Sequence, residues 1–238
     1  MSRDGGARTN VRGLQFDPSA LVDGNLTPDI LWGRDCLAFN IQADLCDQAV
    51  AAIGRIQRAF DARMPHQHVI PEHALHLSVL NLVHVRGPHP PRRKAALWAE
   101  KESTWLPAID AEAAVTPPFE LVLERIVPSP SGLLVAAVDS AELVDLRRRL
   151  AVALGLEVRP LPELCHVTVV RYGTDLPSQR DVHAFAEQER LRVAIRVARL
   201  RTVREVVYPS LRRETIRCHR LGGSVDDRSS GQADTEGV

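Results

Sequence analysis

His76-Leu77-Ser78 and His166-Val167-Thr168 each place a histidine two residues before a hydroxyl, inside an apolar run. The runs, residues 75–80 and 165–170, read as buried strands. Positions i and i+2 of a strand share a face. Each strand therefore presents an imidazole beside a hydroxyl. Two such strands facing each other supply a base, an acid and two donors for phosphate oxygens. That equipment suits phosphodiester chemistry without a metal. An imidazole with a pKa of about 6.5 takes or gives a proton at neutral pH. Opening a 2′,3′-cyclic phosphate with water needs both acts. One histidine takes the proton of the attacking water, and the other gives a proton to the leaving ribose oxygen. Ser78 and Thr168 can donate to the non-bridging oxygens, where charge builds up. The spacing leaves open which histidine is the base. Among nine histidines, only these two have Ser or Thr two residues on.

The flanking elements repeat. Residues 36–42 form a short apolar run that reads as a strand. Residues 43–63 carry Leu45, Val50, Ile53, Ile56 and Phe60 at helical spacing, with Asp44 placed to cap that helix. Pro65 and Pro71 mark a loop before the His76 strand, which ends near Val83. After Pro88, Pro90 and Pro91 come a helix over 92–108 and a strand over 119–127, ended by Pro128 and Pro130. The second pass begins with a strand over 133–138. A helix over 140–154 follows, with Ser140 as its cap, Glu142 in its first turn and Gly155 as its stop. Then come the His166 strand to Tyr172, a helix over 177–190, and long strands over 191–207 and 212–221. Pro71-Glu72 precedes His76 as Pro162-Glu163 precedes His166. The order predicts an internal duplication, with pseudo-repeats at 35–127 and 132–221 inside one domain, 14–221. Approximate two-fold symmetry then brings the histidine strands together. The ends, 1–13 and 222–238, are polar and Gly-containing and predict no fixed structure.

With 45% apolar and 25% charged residues, the 238-residue chain has the balance of a globular protein. A net charge of zero argues against a broad basic field for duplex nucleic acid. Lys94 and Lys101 are the only lysines; every other basic residue is arginine, the better bidentate phosphate binder. The start of the chain has no apolar signal-peptide core, and no run reaches membrane-spanning length. Cys36, Cys46, Cys165 and Cys218 show no C-x-x-C spacing and read as reduced thiols. These features predict a cytoplasmic monomer.

On its two motifs the chain resembles the two-histidine (2H) phosphoesterase superfamily, and within it the bacterial 2′-5′ RNA ligase and cyclic-nucleotide phosphodiesterase branch. The likeness covers about residues 35–221. It rests on two His-x-Thr/Ser strings in apolar surroundings and on element order. It implies a bilobal α+β fold, with two antiparallel sheets facing a central groove and helices outside, and no metal or other cofactor. It also implies His76 and His166 as the proton-transfer pair and Ser78 and Thr168 as phosphate holders. RNA 3′ ends or small cyclic nucleotides are the implied substrates, and a 2′-phosphate the implied product. Ser78 stands where Thr is commoner and keeps the donor.

Other residues are weighed beside these. Tyr172 lies an even number of residues from His166, so it shares that face and could stack on a base, or it closes the strand at a lobe edge. Arg171 points away from Thr168 unless the strand twists or ends, although it lies where a phosphate clamp is convenient. Tyr208, before Pro209, lines the groove or packs a turn. His66, His68, His73 and His76 fall close together, but prolines mark their segment as loop and no Cys or Asp lies among them, so no metal is expected. Cys165 should face the core, opposite His166, and is not a nucleophile. Two further functions use the same residues: RNA 2′-5′ ligation, and nucleotide or RNA binding without turnover.

Overall fold

The computed structural model describes residues 25–137, 141–156 and 164–223. Chain order is β1 (Asp35–Ala43), α1 (Asp47–Arg63), β2 (His68–Val69), a single 3-10 turn (Glu72–Ala74), β3 (Leu77–Val83) and α2 (Pro91–Ala114). Next come β4 (Phe119–Ser129), β5 (Gly132–Ala137), α3 (Ala141–Ala153), β6 (His166–Arg171), α4 (Gln179–Gln188), β7 (Val193–Val197), β8 (Arg199–Val207) and β9 (Arg212–Arg220). The strands form two antiparallel sheets, ordered β3-β1-β8-β9 and β2-β6-β5-β4-β7. The fold is α+β, and each sheet draws strands from both halves of the chain.

The helices cross between sheets. α1 follows β1 of the four-stranded sheet but packs on β6 and β7 of the five-stranded one. α3 follows β5 of the five-stranded sheet but packs on β3 of the other. α2 covers β1 and β9, and α4 covers β4. Phe60 of α1 meets Phe185 of α4 edge to face at 5.0 Å, and Phe39 of β1 stacks on Trp98 of α2 at 4.3 Å. Each such buried ring contributes about 1.5–3 kcal/mol of transfer free energy. No helix among the described residues is long and apolar enough to cross a membrane.

Several elements depart from expectation for physical reasons. α1 begins at Asp47 behind Cys46, and Asp44 is no cap; it pairs with Arg199 and Arg201 of β8. The loop at Pro65 and Pro71 contains β2 and the 3-10 turn. α2 runs through Pro107 to Ala114, because Trp105, Leu106, Ile109 and Ala113 bury a continuous stripe that outweighs a proline cost of about 3 kcal/mol. β4 likewise continues through Pro128, which pairs with Leu133 in the β4–β5 hairpin. The stretch 191–207 is two strands, not one. β7 pairs with β4 and β8 with β1, so the chain changes sheet at Ala198. Gly155, at φ +65°, ends α3, a backbone region that favours glycine. Val138, Ser140, Pro162-Glu163, the tail 1–13 and residues 224–238 lie outside the described residues.

Gly132 opens β5 opposite Arg171, where a Cβ would run into the carbonyl oxygen of Val170. That oxygen is backbone and cannot swing aside. Gly132→Ala is expected to lower stability by about 1–3 kcal/mol, measured by urea unfolding. A neutral result would mean that the two strands do not approach this closely.

Candidate active site

β3 and β6 bring the two histidine strings to one groove of about 290 Å3, lined by His76, Ser78, His166 and Thr168. Both rings are pinned alike. His76 Nδ1 lies 2.8 Å from the Ala74 carbonyl oxygen, and His166 Nδ1 lies 3.3 Å from that of Leu164. A carbonyl only accepts, so each neutral ring donates from Nδ1 and keeps its lone pair on Nε2. Both Nε2 atoms are left for the groove.

Each histidine strand carries a bulge at the same offset. Pairing of β3 with β1 skips Val79, between Ser78↔Gln42 and Leu80↔Ile41. Pairing of β6 with β5 skips Val169, between Thr168↔Leu134 and Val170↔Leu133. An extra residue resets which face the next side chain takes. Asn81 and Arg171 therefore join Ser78 and Thr168 in lining the groove. The two walls read His76, Ser78, Asn81 and His166, Thr168, Arg171.

This corrects the placement by strict alternation. Arg171 takes the groove face, and Tyr172, at 0% exposure, lies in the core where no base can stack on it. Tyr208 lines the groove. Cys165 is buried in the main core, and all four cysteines are free thiols. The loop histidines do not converge: His68 stacks on Trp32 at 4.7 Å, and His73 Nε2 lies 3.1 Å from the Leu211 carbonyl oxygen. Among the described residues, no three His, Cys, Asp or Glu side chains gather as a metal site.

The crossing helices grip both strands by their backbone. Gln57 of α1 donates to the carbonyl oxygens of Ile70 (2.8 Å) and Val169 (2.9 Å). Arg147 of α3 donates to those of Val79 (2.8 Å) and Ser78 (2.9 Å). Val79 and Val169 stand at equivalent points after the two hydroxyls.

The surrounding walls differ. On the four-stranded sheet Glu205, 5% exposed, accepts from Asn40 Nδ2 at 3.1 Å and from the Ser210 amide at 2.9 Å. On the five-stranded sheet the lining is His166, Thr168 and Arg171, and Leu134 and Ala136, paired with Thr168 and His166, form a separate small buried cluster with Val127 and Leu164. Sequence reasoning missed Asn40, Asn81, Arg86 and Glu205 as groove residues. Asn40 carried a signal, since it interrupts an apolar strand; Glu205 lies among the arginines of β8 and carried none. Arg86 lies in a turn and carried none.

No profile of a known protein family matches the sequence, and neither does any curated protein. Solved structures do share the architecture. TT0787 of Thermus thermophilus is 18% identical with a TM-score of 0.61, over 78% of this chain and 98% of that one. E. coli LigT in its apo form is 14% identical with a TM-score of 0.55, over 79% of this chain and 99% of that one. E. coli LigT complexed with 3'-AMP is 14% identical with a TM-score of 0.56, over 79% and 100%. The chain shares its α+β fold with TT0787 and LigT.

Within this groove, burial dominates the charge state of both imidazoles. It lowers His76 from 6.5 to about 3, with Arg213, His166 and Arg201 adding repulsion and the Ala74 bond opposing. It lowers His166 to about 4, with Arg171 and Arg147 adding repulsion and the Leu164 bond opposing. Both rings are therefore neutral at pH 7 while the groove holds no anion. A phosphate at Ser78 and Thr168 would pull at least one of them back up.

A second trio of catalytic residue types lies elsewhere. Thr202 Oγ1 is 2.8 Å from His219 Nε2, and His219 Nδ1 is 2.7 Å from Asp110 Oδ1. Thr202 and His219 are buried, so no substrate reaches the hydroxyl, and the trio fastens α2 to the β8–β9 ribbon.

Lowered histidine pKa values set a pH dependence of stability. Between pH 6.5 and the folded values, the unfolded chain binds protons that the folded chain does not. The contribution is complete above pH 6.5 and is lost as pH falls toward 4 and then 3. Urea midpoints should drop from pH 7 to pH 5, with a shallower drop in a His76→Asn/His166→Asn double variant. Equal slopes in the two proteins would contradict this.

Proposed function

We propose that the protein is a metal-independent 2′,3′-cyclic phosphodiesterase of RNA 3′ ends or small cyclic nucleotides, in the 2′-5′ RNA ligase-like branch of the 2H fold. One observation supports it most: two imidazoles, each with Nδ1 tied to a backbone carbonyl, stand beside two hydroxyls in a single groove. The phosphate is held by the Ser78 and Thr168 hydroxyls. One Nε2 takes a proton from the attacking water as its oxygen bonds to phosphorus. The other Nε2, protonated, gives its proton to the ribose oxygen as the P–O bond breaks. The product is a 2′-phosphate with a free 3′-hydroxyl. The base ends protonated and the acid neutral, and exchange with solvent resets them. Ligation would run the same steps with the hydroxyl of a second RNA end attacking phosphorus in place of water.

The empty groove holds both rings neutral, so the acid acquires its proton together with the anionic substrate. The form with one proton in the pair grows scarcer as pH rises above the lowered values. kcat/KM, which reports free protein, should therefore rise as pH falls from 7 toward 5. kcat, which reports the complex, should peak nearer neutrality, because the bound phosphate raises the pair. Coincident profiles measured on a nucleoside 2′,3′-cyclic phosphate would argue against substrate-assisted protonation.

The deciding experiment uses a panel of nucleoside 2′,3′-cyclic phosphates in EDTA. Wild type should turn over, and His76→Ala and His166→Ala should each lose about 10²–10⁴-fold in kcat while staying folded. Turnover abolished by EDTA, or unchanged in either variant, would sink the proposal. Tight nucleotide binding without turnover would favour a binding protein.

A further inference from the structure

The groove continues past Thr168 and Arg171 to Arg86, in the turn after β3, and to Tyr208. Neither Arg86 nor its partner Asp29 has a part in the proton transfers. The Asp29 side chain is 0% exposed and binds both arginines. Its Oδ1 lies 3.3 Å from Arg86 Nη2, and its Oδ2 lies 3.4 Å from Arg171 Nε. The guanidinium carbons lie over the Tyr208 ring, at 5.9 Å for Arg86 and 5.7 Å for Arg171. One buried carboxylate thus gathers two permanent cations around one ring. Asp29 and the two arginines sum to +1, and the Glu205 carboxylate lines the same groove.

The geometry points to a second phosphate subsite, in which Arg86 and Arg171 together bind a phosphate on the 5′ side of the ribose whose cyclic phosphate lies at the histidines. The inference rests on the phosphodiesterase reading for the placement of the first phosphate. Three features support it. Both guanidiniums are gathered beside the Tyr208 ring with donors to spare beyond those turned to Asp29 and, for Arg171 Nη1, to Ser131 Oγ at 3.0 Å; guanidinium N–H groups match phosphate oxygens. Asp29 fixes both guanidiniums from behind, so less side-chain entropy is lost on binding. Thr168 and Arg171 are three residues apart on one strand, about 10 Å at most, so both anions fall within the reach of one nucleotide. The same chemistry is offered by a terminal 5′-monoester and by the internucleotide diester of an RNA 3′ end.

The test is binding, which does not depend on turnover. Wild type and Arg86→Gln are titrated by calorimetry with a nucleoside 2′-monophosphate, the matching 2′,5′-bisphosphate, and a dinucleotide bearing a 3′-terminal 2′-phosphate. Wild type should bind one or both of the latter pair at least about tenfold tighter than the monophosphate. Whichever gains more identifies the source as monoester or diester. In Arg86→Gln that ratio should fall to within about threefold, with a thermal melt confirming the fold. Arg86 is half exposed, its side chain at 49%, so the substitution leaves the core intact. Equal wild-type affinities, or a ratio unchanged in the variant, overturn the subsite. A wild type that hydrolyses no cyclic phosphate yet prefers the bisphosphate removes the reaction and keeps the subsite.

Discussion

A strand buried at a sheet margin must find hydrogen-bond donors for its outer carbonyls, and both histidine strands face that demand. β3 ends the four-stranded sheet, and β6 has only the two residues of β2 beyond it. The exchange of helices answers it. α1 and α3 each leave the sheet they started from and lay one long polar side chain, Gln57 or Arg147, along the far sheet's histidine strand. The same bonds fix the backbone immediately after Ser78 and Thr168. An unsatisfied buried carbonyl costs about 1–3 kcal/mol, so the crossing both removes a penalty and locates the hydroxyls. The crossing is as much a part of the groove as the imidazoles are.

The bulges add the second layer of order. Without them, strict alternation would bury Arg171 and turn Tyr172 toward the groove. With them, a polar residue three positions after each hydroxyl returns to the groove, Asn81 on one wall and Arg171 on the other. Gly132 makes room for the β6 bulge, where any side chain would collide with the strand opposite. One small residue, one extra residue and one buried carboxylate, Asp29, together decide where a guanidinium stands relative to His166.

Much of this was written in local sequence. The histidine strings announced their own strands, because apolar runs with a polar residue at every second place have one sheet solution. The helix at Asp47–Arg63 followed from its apolar spacing, and that at Ala141–Ala153 from Glu142 in its first turn and Gly155 as its stop. What escaped was non-local. Nothing in 191–207 marks Ala198 as the point where the chain changes sheet, since alternation persists on both sides and only the partners β4 and β1 differ. Asp44 has the chemistry of a helix cap but lies nearer two arginines some 155 residues away in sequence. The bulges did leave a trace in the doubled apolar pairs Val79-Leu80 and Val169-Val170, which break alternation where it matters. Arg86 left none, because a turn arginine acquires meaning only once Asp29 has been folded against it.

Near-symmetry in the histidines coexists with unlike surroundings, and that contrast bears on mechanism. Two rings tied by the same bond to equivalent carbonyls are chemically interchangeable as base and acid. The walls are not interchangeable: one offers Asn40 and the carboxylate of Glu205, the other the guanidinium of Arg171. On the phosphodiesterase reading, a cyclic phosphate could open toward either histidine, and the choice falls to whatever orients the rest of the nucleotide. A further phosphate seeks cations; the wall of Arg171 offers one, and the wall of Glu205 offers a carboxylate instead. The roles of the two imidazoles are then set by the groove around them rather than by any difference between the rings. On that reading, unlike surroundings let a near-symmetric pair of histidines serve a substrate that has no symmetry of its own.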